Sequence, residues 1–532
     1  MSGATPRRWL RDARRALARL PSLRISRVPD APALPVRDPW PGDPGRGARL
    51  LKGELELRGA VRALRPGGWN ETGGQAVLRV AAHSFGWLRD LRALGTDAAR
   101  LRARALVSEW INTPPPDPLA YRPDVVGARI AAWLGHYDFF AATADDAFRQ
   151  RLMARLVSDA RGLSAALPSE ELDARALTAL KGLISAAVAL PDHAGFLARA
   201  LKFLPQEIGR QVLADGCHVE RSPTAQLAAL QDLTEIRALL QAAQNQPPAS
   251  LTNAIEKMAP ALRVMRHGDG GLALFNGSKE ETPALIDLVL TQAGRGGRGP
   301  SALTEGGFQR LQAGRSVLLV DCGAPPPTGL DRHAHAGTLS MELSVGRDRL
   351  IVNCGAFPGG PPEWRDATRA TAAHSTLVIA DISSSELKPE GLGRRPMTVE
   401  AQRQEANGAH WLEASHDGWK QVFGAVHRRR LYMAESGDDI RGEDAVEAPT
   451  PQPYTVRFHL HPDVNASVQH DGEAVLLRLR SGGWRLRADG ARITLEESVY
   501  LGGSEPRRSE QVVLTGYADG PQHVKWAISK VG

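Results

Sequence analysis

Between residues 75 and 265 apolar side chains recur at three- and four-residue spacing, the period of an amphipathic helix. The runs at 77–94, 98–111, 125–140, 147–167, 172–190, 224–240 and 251–265 carry it, and their wealth of alanine and leucine favours helix when summed over such windows. Pro114-Pro115-Pro116 and Pro191-Asp192 separate neighbouring runs. Helices of similar length on short connections predict antiparallel hairpins set side by side. After about residue 266 the period falls to two. Short runs at 316–321, 339–345, 350–353, 376–379, 422–432, 455–460, 474–479, 492–499 and 511–515 predict strands, punctuated by Gly, Pro, Asn and Asp. Helices first and strands afterwards predict an α+β multidomain chain, an all-α half followed by an antiparallel β-sandwich, with the boundary at 266–271. The GRGGRG stretch at 294–299 has no helix behind it in this reading, so it predicts a flexible loop and not a phosphate cradle.

Composition narrows the class. A chain of 532 residues that is 42% hydrophobic can bury a large core, which excludes wholesale disorder. No stretch approaches ~18 consecutive apolar residues, which excludes a transmembrane helix. Cys217, Cys322 and Cys354 are too few and too scattered for a disulfide framework and fit a reducing compartment. The net charge of +7 is local: residues 1–29 hold eight arginines against Asp12, while the rest has 58 basic and 58 acidic residues. That balance argues against a nucleic-acid-binding body. Within the arm, Trp9, Leu10, Ala13, Leu17 and Leu20 fall near helical spacing, with arginines breaking every window a secretory signal would need. The arm reads either as a peripheral contact with an anionic membrane or RNA, or as a solvated tail. The predicted domains are 1–60 (basic arm and proline-rich wrapping segment), 61–267 (helical) and 268–532 (sandwich). The predicted location is the cytoplasm or the inner face of the membrane.

Candidate chemistry gathers at the start of the strand region. Asp331-Arg332-His333-Ala334-His335-Ala336-Gly337 precedes the run at 339–345; Val352-Asn353-Cys354-Gly355, Trp364-Arg365 and Arg369-Ala370-Thr371-Ala372-Ala373-His374 follow. On an extended strand His333 and His335 point the same way. Two imidazoles plus a third from a neighbouring strand can hold zinc or supply an acid–base pair; satisfied structural histidines are the alternative. A second stretch, Asp215-Gly216-Cys217-His218-Val219-Glu220-Arg221-Ser222-Pro223, lies in the helical half.

Together these stretches resemble the heparinase II/III-like proteins, from about Trp69 onward and most strongly across residues 333–376. The resemblance implies an N-terminal incomplete (α/α) toroid followed by a C-terminal antiparallel β-sandwich. It implies β-elimination on an acidic, uronate-containing polysaccharide or oligosaccharide, glycosaminoglycans among them. In such a reaction a positive charge neutralises the sugar carboxylate, a base removes the adjacent proton and an acid protonates the leaving oxygen. Carried over by position, His333 is the candidate acid–base residue, while His335 and His374 match metal-ligand histidines. A structural zinc is implied, yet Asn353 stands where the family has aspartate and lacks an anionic oxygen. The family tyrosine is expected just after Ser222-Pro223, where this chain has Thr224, Ala225 and Gln226.

His218 is a candidate partner in proton transfer, with Glu220 and Arg221 as substrate-binding residues; a structural ion pair and a packed histidine are the alternative. Arg369 suits a uronate carboxylate by its planar fork, and bracing a loop is its other reading. Trp364 and Arg365 are placed at the substrate as an exposed stacking ring and a cation. His83, Trp87 and Trp133 fall in apolar helical patterns and read as core. Two functions follow: a polysaccharide lyase, or a non-catalytic glycan-binding or envelope-associated protein that keeps the fold without the tyrosine. Oligomeric state is not legible.

Overall fold

The computed structural model describes residues 28–57, 59–168, 174–190, 195–294, 299–358, 360–469, 472–518 and 522–531. Nearly all of the basic arm and residues 295–298 of the glycine-rich loop lie outside the described residues. Contacts divide the chain into two compact units: residues up to Gln211 together with Ala229–Ile255, and Val212–Ala228 together with Glu256–Gly532. The stretch around His218, read from sequence as part of the helical half, therefore packs with the strand-rich half.

The first unit is the helical toroid. Its helices include Ala76–Ser84, Leu88–Leu94, Asp97–Asn112, Pro123–Gly135, Asp146–Ala166, Arg175–Ala189 and Gly195–Gln211. Capping sets several of their starts. Thr96 accepts from the Ala99 amide and Asp145 from the Phe148 amide, each closing an otherwise orphaned donor of the first turn. The predicted helix at 77–94 is broken in two because Phe85 adopts a left-handed backbone, φ 58°. Phe85 is buried there against Trp69, Trp87 and Trp133. Beside them Arg129, fully buried, donates to Asp159 at 2.8 and 3.1 Å and lies over the Trp110 ring at 4.2 Å. Pairing and carbonyl contacts offset the cost of taking that charge out of water. A hairpin of Glu54–Leu57 and Ala60–Ala63 replaces part of the predicted wrapping segment.

The second unit is the antiparallel sandwich. One sheet runs Val399–Ala406, Ala409–Trp419, Ala425–Met433, Asp439–Glu447, Gln522–Val531, Gly482–Asp489, Ala474–Leu479, Asn465–Gln469. The other runs Arg492–Tyr500, Arg507–Ala518, Gln452–Leu460, Asp348–Val352, Met341–Val345, Ser316–Asp321, Phe308–Ala313, Ala302–Leu303, with Leu377–Ile379 pairing to Gln452–Leu460. Their facing apolar residues, among them Leu343, Ile351, Val456, Phe458, Leu412, Leu431, Val475, Trp484 and Ile528, form one core. Met341–Val345 and Ser316–Asp321 are buried on both faces; Ser316–Asp321 accordingly carries a continuous apolar run, whereas Met341–Val345 buries Glu342 and Ser344 on its second face.

In the toroid the helices Pro123–Gly135 and Arg175–Ala189 approach so closely that a methyl group on Gly182 would sit 2.2 Å from the Gly127 Cα. Gly182→Ala is expected to destabilise the protein by about 3 kcal/mol, measured by urea unfolding.

Candidate functional site

The motif residues of the second unit are held by turns and short helices at the end of its central strands. Residues 331–337 are not a strand. The Ala334 amide donates to the Asp331 carbonyl at 3.0 Å, closing a turn. Period-two alternation therefore fails here, and the expectation that His333 and His335 point the same way is corrected: His333 is exposed and His335 is buried. Asp331 fixes the turn, accepting from the Gly329 and Leu392 amides at 3.0 Å each and pairing with Arg395.

His335 meets His374 rather than His333. The His374 Nδ1 donates to the Ala370 carbonyl at 2.8 Å, so its Nε2 accepts from the His335 Nδ1 at 3.0 Å. Burial disfavours the imidazolium, holding His335 well below its ordinary range and His374 at about 4. Gly337 makes room for this pair, since a methyl group there would lie 2.7 Å from the His374 ring.

Asn353 serves a different partner. Its amide nitrogen and its side-chain Nδ2 both donate to Glu342 Oε1, at 2.9 and 3.0 Å, while its Oδ1 accepts from the Ser375 amide at 2.9 Å. Glu342 Oε1 also takes the Leu274 amide at 3.1 Å, and its Oε2 takes His267 Nε2 at 2.8 Å. Burial lowers the pKa of His267, so its other nitrogen accepts from the Ser344 hydroxyl at 3.0 Å.

Arg369, at the end of the helix Pro362–Arg369, donates to the carbonyls of Ala334, Lys388 and Gly391 at 3.0, 2.9 and 2.7 Å. Its guanidinium thus braces three loop segments. Arg365 donates to the Pro389 carbonyl, and Trp364 is 38% exposed with its ring edge-on to Phe357 at 6.2 Å.

The stretch around His218 is built just as tightly. Gly216, φ 85°, passes so near the Lys257 carbonyl that a methyl group would approach to 2.2 Å. His218 is buried; its amide donates to Gln226 Oε1 and its Nδ1 accepts from the Glu220 amide at 3.3 Å. Glu220 is buried beside it. Arg221 pairs with Asp321, donates to the Gly306 carbonyl at 2.7 Å and covers the Phe308 ring at 4.9 Å. The Thr224 hydroxyl donates to Glu281 at 3.1 Å and accepts from the Lys279 amide at 3.1 Å. Gln226 donates to the carbonyls of Gly216 and Met258.

Asn276 links the two stretches. Its Nδ2 donates to the Arg221 carbonyl at 2.9 Å and its Oδ1 accepts from the His335 amide at 3.0 Å. The sequence reading passed over it, although Asn276-Gly277 is a turn signal and both residues take positive φ.

Residues 104–294 match the family description Heparinase II/III N-terminus, and residues 295–527 match Heparinase II/III-like, C-terminal. A curated relative, FtsZ-localized protein C of Caulobacter vibrioides, is 31% identical over 522 residues, covering 93% of this chain and 89% of that protein. The chain belongs to the heparinase II/III-like family. Among solved structures it is similar to heparinase III (TM-score 0.75, 14% identity, 98% of this chain and 89% of that one). It is also similar to the heparan sulfate lyase HepC mutant from Pedobacter heparinus (TM-score 0.62, 16% identity, 98% and 88%). At those identities the likeness shows the fold, an (α/α) toroid followed by a β-sandwich.

Within this heparinase II/III-like chain the zinc ligand set implied by the resemblance fits only in part. With its Nδ1 proton held by a carbonyl, His374 has its lone pair on Nε2 as a ligand histidine would, although here that lone pair accepts from His335 Nδ1. The third position does not fit, because both ends of the Asn353 amide are engaged by Glu342 and Ser375. Asn353→Asp would set a second carboxylate against Glu342. It is expected to destabilise the protein by about 3 kcal/mol, read by urea unfolding, with no recovery on adding zinc. Recovery by zinc would instead mean that an aspartate completes a ligand set with His335 and His374.

Proposed function

We propose that this heparinase II/III-like protein binds an acidic, uronate-containing glycan on the lyase scaffold without cleaving it, at the cell envelope. The observation that carries the reading is Thr224. It stands in the region where the resemblance places the tyrosine base, and its hydroxyl is engaged by Glu281 and by the Lys279 amide. Support comes also from Arg369, whose donors go to backbone carbonyls, and from His218, which is buried in a local turn. The relative named for localisation with FtsZ supports a place beside the division machinery. There the arginine-rich arm would contact the anionic inner membrane.

A second reading, lyase activity by β-elimination, is favoured by one residue. His333 is exposed in a motif whose neighbours Ala334, His335 and Ala336 are buried, and an accessible imidazole suits proton transfer.

The two readings separate in one experiment. Purified protein is incubated with a panel of uronate polysaccharides and oligosaccharides while the absorbance of a new unsaturated uronate is followed and binding is measured by calorimetry. The expected outcome is binding to at least one glycan with a flat absorbance trace, unchanged by His333→Ala. A rise in absorbance that His333→Ala abolishes would establish elimination and overturn the non-catalytic reading.

A further inference from the structure

Away from the motif residues, the sandwich unit carries a groove of about 680 Å³ lined by Arg263, Arg310, Arg403, His410, Gln312 and Glu405, with Val264, Gly299, Pro300 and Ser301 completing its wall. That size is ordinary for a small-molecule or oligosaccharide site. Three guanidinium groups and a histidine face a single lining carboxylate. A second cavity, of about 440 Å³, is charged too, but there Arg349 is paired with Asp269, and Glu280 is bonded to Tyr500 beside His461. Those charges are answered from within.

The cations of the groove are fixed in place. Arg403 and Glu405 lie two apart on the edge strand Val399–Ala406 and so share a face. Arg403 Nη1 donates to the carbonyls of Ser301 and Arg310 at 2.8 Å each, and its Nη2 reaches His410 Nδ1 at 3.2 Å and Glu405 at 3.3 Å. His410 Nε2 in turn donates to the Gln312 carbonyl at 3.0 Å. Arg310 is held by the carbonyls of Val264 and Arg266 and by the Gln312 side chain. Burial lowers the pKa of Arg403, with Glu405 offsetting part of the effect. Arg263 is the telling member. Its Nη1 is shielded from solvent and has no hydrogen-bond partner among the described residues, a costly state for a charged donor.

We propose that this groove binds the carboxylate or sulfate groups of an acidic oligosaccharide. A planar guanidinium matches either oxyanion, and Arg263 lines the groove without spending Nη1 on a hydrogen bond to the described residues. The remainder of the wall suits a sugar better than a peptide. Val264 and Pro300 are its sizeable apolar side chains, whereas Gln312 and Ser301 are polar groups of the kind that meet hydroxyls. This deepens the glycan-binding reading and rests on it. It places the anionic contacts on the sandwich, on residues outside the family motif.

The test is calorimetric titration of the full-length protein with a heparin-derived oligosaccharide, an oligogalacturonate and, as an acidic peptide, poly-L-glutamate. Arg263→Gln removes no internal hydrogen bond at Nη1, so its melting temperature is expected to match the parent, while saccharide affinity falls roughly tenfold. Arg403→Gln should weaken binding similarly, and its melting temperature reports any loss of the carbonyl contacts. Saccharide binding that Arg263→Gln and Arg403→Gln leave unchanged would overturn the groove and spare the glycan reading; binding by the arginine-rich arm would look like this. Absence of saccharide binding in the parent would overturn both. Tighter, Arg263-dependent binding of poly-L-glutamate would assign the groove to an acidic protein segment and overturn the saccharide.

Discussion

Glu342 has no exposure to solvent, and its two oxygens are reached by four donors from three separate segments. His267 follows the helix Ala249–Val264, Leu274 opens the segment leading to the Asn276 turn, and Asn353 directly follows the strand Asp348–Val352. A buried carboxyl group without such partners would cost several kcal/mol. With them it ties the chain on either side of the central strand Met341–Val345 into one arrangement. The residues that carry the family resemblance are positioned from this anchor: Asn353 passes it to Ser375 and so to His374, and the segment through Leu274 leads to Asn276.

The same physical logic runs through the neighbouring side chains. Asn276 joins the Arg221 backbone to the His335 backbone, Arg369 gathers three carbonyls, and His335 and His374 bond each other in a dry setting. Each is a polar group whose burial is tolerated because its hydrogen-bonding capacity is met within the fold. On the proposed reading, a lyase architecture persists here because these groups stabilise it, while ligand contacts lie with cations less fully answered, as in the groove around Arg263.

Much of this was legible in the chain. Helix and strand periods placed both halves, and the runs 316–321 and 474–479 coincide with strands. What failed has physical causes. Period cannot reveal that Phe85 turns left-handed to reach an aromatic cluster, and strands with mixed polarity such as Val399–Ala406 and Gly482–Asp489 carry little apolar signal. The helix Gly195–Gln211 lies within the helical span but was not named among its runs, with Pro205 inside it. At the site, the motif singled out His335, His374, Asn353 and Arg369, all of which are buried. It could not say which way they face, because direction there is set by a turn at Asp331 and by partners distant in sequence, Glu342 and Asn276 above all.

The central claim is that the motif histidines brace the sandwich as neutral, mutually bonded rings. Side-chain nuclear magnetic resonance of selectively labelled histidines, followed from pH 8 to pH 5, addresses it directly. Burial lowers both pKa values, so His335 and His374 should stay neutral over the whole range, with the His374 proton held on Nδ1. Titration of either ring near the ordinary histidine value of about 6.5 would contradict the account, placing a solvent-accessible acid–base group where it requires a buried brace.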